Sequence, residues 1–126
     1  MSVKMKKNPL KDKSFLFALS IVGLYKVLTQ EQKEYVMSKQ LLRSATSVGA
    51  NIWEAINAQS KKDFIHKLSI SQKEADESLY WLELLEASGY LKNDIYNKHM
   101  KEGTEVLKLL KSIILSSKLN SKIKPY

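Results

Sequence analysis

Phe64, Leu68, Ser71, Ala75, Ser78, Leu82 and Leu85 recur at alternating steps of four and three. That mean period of 3.5 residues keeps the buried seam of a helix against its neighbour in left-handed helix packing. Leu41, Ala45, Val48, Ile52 and Ala55 repeat it, and Ile95, His99, Val106, Leu110 and Ile113 approximate it. Only two Pro and four Gly punctuate the chain, and Pro9 and Pro125 lie outside the periodic region. The pattern predicts helices over residues 14–28, 31–58, 61–88 and 93–119. Ser60 is placed as an N-cap with Asp63 in capping-box position, Gly89 as the residue after a helix C-terminus, and Gly103 inside the last helix. Helices of 28 residues are roughly 42 Å long. The short connections make sequential neighbours antiparallel, so the expected fold is all-α, an up-down-up-down four-helix bundle. At 126 residues it is one domain, with a bundle at 14–119 flanked by basic tails at 1–13 and 120–126.

Residues 41–54, LLRSATSVGANIWE, keep Ser47, Gly49 and Asn51 mid-helix although Ala has the higher helix propensity at each. On a helical wheel Arg43, Ser47, Asn51 and Glu54 fall within about 80° of one another, opposite the apolar stripe. This polar ladder is a candidate partner surface. Glu74 joins it as the acid that Arg43 would meet on a neighbouring helix or subunit.

One core needs one stripe per helix, and this chain offers more. The first helix is apolar on two sides, Phe15, Leu19 and Val22 on one and Phe17, Ile21, Leu24 and Leu28 on the other. Ile70, Trp81 and Leu84 stand about 130° from the core stripe of the third helix, and Trp53 lies at the edge of the second. Phe17, Ile21, Leu24, Trp53, Ile70, Trp81 and Leu84 are therefore read as a candidate subunit interface.

The net charge of +8 is concentrated at the ends. Residues 1–13 carry five Lys and one Asp, residues 118–126 three Lys and no acid, leaving 13 basic and 12 acidic groups between. Lys4, Lys6, Lys7, Lys11, Lys13, Lys118, Lys122 and Lys124 are the candidate nucleic-acid contacts, since basic tails attract phosphate generically. The apolar run SFLFALSIVGLYKVL lacks a small-x-small cleavage site and is shorter than the ~20 residues that span a bilayer, so it reads as a structural helix, with no membrane partner. The absence of Cys excludes zinc-thiolate sites and thiol nucleophiles, and a cytoplasmic location is the default. Chemistry is also missing elsewhere. There is no Glu-x-x-His pair for a dimetal bundle, His66 stands alone after Asp63, and His99 has no evident carboxylate at helical spacing. No glycine-rich phosphate loop or Ser-His-Asp grouping is visible. The reading is a non-enzyme without metal or cofactor.

LLRSATSVGANIWEA followed by SKKDFIHKLSISQKEADESLYWLELL resembles the bacterial four-helix-bundle family named after proteins encoded in intervening sequences of 23S ribosomal RNA genes. The resemblance covers nearly the whole chain, including NPLKDKSFLFAL, and rests on Arg43, Ser44, Ser47, Gly49, Ala50, Asn51, Ile52 and Glu54, then Ser60, Lys61, Asp63, Phe64, Ile65 and Glu74 to Ser78. It implies a homopentameric ring of antiparallel bundles. It also implies kinship with the accessory variability determinant of diversity-generating retroelements, a basic pentameric bundle that binds nucleic acid and a reverse transcriptase. The expected function is a homo-oligomer that binds RNA or DNA through its basic ends. The alternative is a protein–protein scaffold or adaptor without nucleic acid.

Overall fold

The computed structural model describes residues 8–123, with side chains through residue 120. They form α1 (Pro9–Gln30), α2 (Met37–Ile56), α3 (Lys61–Ala87) and α4 (Asn93–Ile123), with no strand among the described residues. α1 and α3 each pack against α2 and α4, while the diagonal pairs stay apart, so four helices surround one core. Leu41, Ala45, Val48, Ile52 and Ala55 are all buried in it, as is the α3 stripe from Leu68 to Leu85, with Phe64 half-buried at its start. On α4 the expected stripe drifts. His99, Val106 and Leu110 are buried, but Ile95 is exposed and Ile113 half-buried, and Leu107 and Ile114 take the core positions. Steps from His99 through Gly103, Leu107 and Leu110 to Ile114 average more than 3.6 residues, so a strict 3.5 repeat rotates out of the core.

Helix ends show where local chemistry decides. α1 begins at Pro9, five residues before the expected start, because the Asn8 side chain accepts from the Lys11 amide at 3.0 Å and proline suits the first helical position. Lys11 and Lys13 therefore belong to the helix and not to a tail. α2 begins six residues later than expected. Lys33 takes a left-handed φ of 57°, which costs a non-glycine residue roughly 1 kcal/mol and turns the chain out of α1. Glu34, 7% exposed, then caps α2: its carboxylate accepts from the amides of Val36, Met37 and Ser38 at 3.1, 3.0 and 2.7 Å. Burial opposes this charge, but the three amide donors outweigh it and hold the carboxyl below its ordinary range.

α3 follows expectation more closely. Ser60 Oγ accepts from the Asp63 amide at 3.0 Å. At the other end Gly89, φ +90°, allows Tyr90 N–H to reach the Leu85 carbonyl and Gly89 N–H the Glu86 carbonyl, the paired bonds of a Schellman motif. α4 continues to Ile123, four residues past the expected boundary. Gly103 lets α4 approach closely, since a Cβ there would lie 2.8 Å from Leu79 Cδ2 and 3.1 Å from Phe17 Cζ and both side chains would have to shift.

Candidate functional site

Small side chains bring α2 and α3 together. Ser44 and Ser78 share a hydroxyl–hydroxyl bond of 2.9 Å, and Ser71 donates to the Val48 carbonyl at 2.8 Å, so buried hydroxyls are satisfied where the backbones are close. Charge flanks this seam. Arg43 donates to Glu74 at 3.3 Å and also to Glu77, whose carboxylate accepts from the Trp81 indole N–H at 2.9 Å. The indole donor and then the guanidinium hold the Glu77 carboxyl below its ordinary range. Lys67 donates to Glu54 at 2.9 Å. Asn51 donates to the Ser47 carbonyl on its own helix at 2.8 Å, and both residues are half-buried. The ladder Arg43, Ser47, Asn51, Glu54 and Glu74 is thus divided: its charged members meet α3 within one chain, and Ser47 and Asn51 remain between them. Such ion pairs fix the register of two helices more than they add stability.

A second polar cluster joins α1 to α4. Ser20 Oγ donates to Glu102 Oε1 at 2.9 Å and lies 3.1 Å from His99 Nδ1, which is itself 3.1 Å from Glu102 Oε1. The expectation that His99 lacks a carboxylate is corrected by Glu102, three residues on and on the same face. Burial of His99, 4% exposed, pushes its pKa down, with Glu102 opposing. Serine and carboxylate both meet the same ring nitrogen, whereas a hydrolytic triad places them on opposite nitrogens. The arrangement is an interhelical clamp. Among the described residues no group of three or more His, Asp or Glu is placed to hold a metal ion.

The expected subunit interface separates into three parts. Phe17, Ile21 and Leu24 are core residues of their own chain, so they cannot form an intersubunit face. Hydrophobic alternation on α1 had two candidate inward sides, and burial selects the one that meets Gly103. Ile70, Trp81 and Leu84 are half-buried, and the indole N–H of Trp81 is already engaged by Glu77. Trp53 remains, 56% exposed, beside Phe15 at 62% and Leu16. With Ala18, Ala50 and Gly49 they line an open groove of about 600 Å³ between α1 and α2. Lys11 Nζ lies 4.2 Å from the centre of the Trp53 ring, a cation–π contact at its rim. A Cβ on Gly49 would meet Ser14 only at 3.7 Å, so packing within this chain does not demand glycine there.

Of the candidate phosphate contacts, Lys4, Lys6, Lys7 and Lys124 and the Lys122 side chain lie outside the described residues. Lys13 pairs with Glu105 at 3.5 Å, and Lys118 is exposed on α4. Sequence reasoning missed Lys101, Lys108 and Lys111 on that helix, all exposed and without an ion pair among the described residues. Their spacings of seven and three were the available signal. No described helix is long and apolar enough to cross a membrane.

Residues 6–112 match the family described as 23S rRNA-intervening sequence protein. A crystal structure of a protein of unknown function from the S23 ribosomal protein family of Bacteroides thetaiotaomicron is similar at 58% identity and a TM-score of 0.82, over 83% of this chain and 97% of that one. No curated protein matches.

Proposed function

The chain belongs to the 23S rRNA-intervening sequence protein family, and from that premise we propose a non-catalytic, homo-oligomeric up-down-up-down bundle in the cytoplasm that binds RNA or DNA through its basic ends. The topology is supported by contacts that descend one helix as they ascend its neighbour: Arg43 with Glu74, Val48 with Ser71 and Glu54 with Lys67 between α2 and α3, then Lys13 with Glu105 and Ser20 with Glu102 between α1 and α4. Assembly is supported by the exposed apolar groove at Phe15, Leu16 and Trp53. A pentamer is the size this reading adopts.

The observation that carries nucleic-acid binding is the Lys13–Glu105 contact, which sets the first turns of α1 beside the middle of α4 and points the start of α1 the same way as the end of α4. The segments before Asn8 and after Lys118 therefore leave from one end of the bundle. A ring would gather five copies of each, making weak phosphate contacts an avidity effect. Light scattering should give a mass near five times 14.5 kDa, and a mass near 14.5 kDa at every concentration would contradict assembly. Removing residues 1–7 and 121–126 leaves Asn8 and the buried Leu10 in place, and should weaken binding to generic RNA or DNA and reduce its salt dependence while preserving helix content. Unchanged binding by the trimmed chain would refute a role for the ends. The groove also favours an adaptor reading, in which a protein segment occupies it and no salt-dependent nucleic-acid binding is found.

A further inference from the structure

α4 has a strongly one-sided charge distribution. After its first turn its acids are Glu102 and Glu105, against lysines at 98, 101, 108, 111, 118 and 122. Both acids turn onto α1, Glu102 accepting from Ser20 at 2.9 Å and Glu105 meeting Lys13 at 3.5 Å. Among the acids of α3, Glu74 and Glu77 are held by Arg43 on the α2 side, Asp63 lies near Lys67, Glu83 and Glu86 lie near Tyr96 toward the start of α4, and the exposed Asp76 forms no ion pair with an α4 lysine among the described residues. What remains outward on α4, exposed and with no ion pair among the described residues, is Lys98 beside His99 and, farther along, the four lysines Lys101, Lys108, Lys111 and Lys118. On a wheel of 100° per residue these four lie within about 100°, and over 17 residues they form a line roughly 26 Å long.

We propose that this lysine line is a phosphate-tracking surface for a nucleic-acid duplex, bound along its backbone without sequence preference. The inference rests on the nucleic-acid reading above but moves the main contact from the ends to the body of α4. Three observations favour a duplex backbone. The line is about as long as seven or eight base pairs at 3.4 Å each. No aromatic side chain lies among the four lysines to stack unpaired bases, the device that single-strand binders use. Lysine, a point charge on a flexible stem, suits phosphate more than base edges.

The test uses the full-length protein and a fluorescein-labelled 20-base-pair duplex of generic sequence, with the corresponding single strand and vesicles of phosphatidylcholine and phosphatidylserine as further probes. Binding is measured from 50 to 200 mM salt for the wild type, for Lys101→Gln/Lys108→Gln/Lys111→Gln, and for a charge-matched Lys26→Gln/Lys39→Gln/Lys62→Gln control on other exposed sites. The α4 variant should bind the duplex at least tenfold more weakly at 50 mM salt and lose about three units of slope in log K against log salt, since each phosphate contact contributes roughly 0.9. The control should keep more than half the wild-type affinity. Equal losses in the two variants would mean that net charge alone attracts the duplex, and would overturn the inference. A wild type that binds while the α4 variant is unimpaired would overturn it too, leaving the ends as the binding element. Preference for the single strand, or for the vesicles, would also overturn it. If the wild type binds no nucleic acid at all, the functional reading itself fails.

Discussion

The α2–α3 seam and the outer face of α4 are both rich in charge and use it in opposite ways. On the seam, Arg43, Glu54, Lys67, Glu74 and Glu77 find partners on the facing helix, and the buried hydroxyls beneath them are paired as well. On α4, Glu102 and Glu105 are engaged by α1 and the lysines are left facing solvent. The segment with the most unusual composition is thereby explained in large part by packing, while a segment with ordinary composition presents lysines that form no ion pair among the described residues. A distinctive motif indicates constraint, and constraint can come from helices that must approach closely. An unpaired row of like charges is the better sign of an external partner.

The comparison sharpens first at the core boundary of α1, where the expected effect is largest. Phe17→Ala should cost about 3–5 kcal/mol in denaturant unfolding, because the ring is fully buried against Gly103, whereas Phe15→Ala on the exposed side should stay within roughly 0.5 kcal/mol in the dissociated chain. Similar losses at both positions would mean that Phe15 is covered too, as assembly would require. Next is the start of α2, where Glu34→Ala should cost about 2 kcal/mol by leaving three amides without their acceptor. Because the folded carboxyl titrates below its ordinary 4.5, this contribution is complete above that pH and is lost as pH falls through the folded value. Thermal melts of Glu34→Gln should accordingly show less acid sensitivity than the wild type.

His99 titrates below its ordinary 6.5, so its contribution is present above that pH and disappears on acidification through the folded value. His99→Phe should flatten stability over that interval, and an unchanged pH profile would argue against a buried neutral imidazole. On the seam, a double-mutant cycle between Arg43→Ala and Glu77→Ala should give a coupling of only about 0.5–1 kcal/mol, since the guanidinium is half exposed. The smallest effect is expected at Gly49→Ala, stabilising the isolated chain by a few tenths up to about 1 kcal/mol, because its Cβ meets only ordinary contacts. If the same change disrupts the oligomer, the glycine serves a surface that approaches from outside.

Much of the fold was legible because its signals are local or periodic. The α2 and α3 stripes, the Ser60 cap and the Gly89 turn follow from side-chain spacing and backbone conformation at named positions. The start of α2 was not, because Glu34 caps from a loop held by a left-handed lysine, a geometry that no periodicity encodes. On α1 two apolar sides competed, and only the neighbours decide which is buried. The candidate site was less legible still. Dividing the charge by chain segment gave residues 14–117 a near-neutral balance, which averages acids on α3 with lysines on α4 and conceals the separation of their faces. His99 and Glu102 stood at helical spacing, but the Ser20 hydroxyl that completes the clamp comes from 79 residues away.

The contrast between engaged and unengaged charge is open to direct measurement by lysine acetylation read by mass spectrometry, with and without a generic duplex. Lys67, held by Glu54, should react slowly in both states, while Lys101, Lys108 and Lys111 should react fast in the free protein and be protected at least severalfold by the duplex. Lysines of α4 that stay equally reactive while the duplex is demonstrably bound would contradict the assignment of that face.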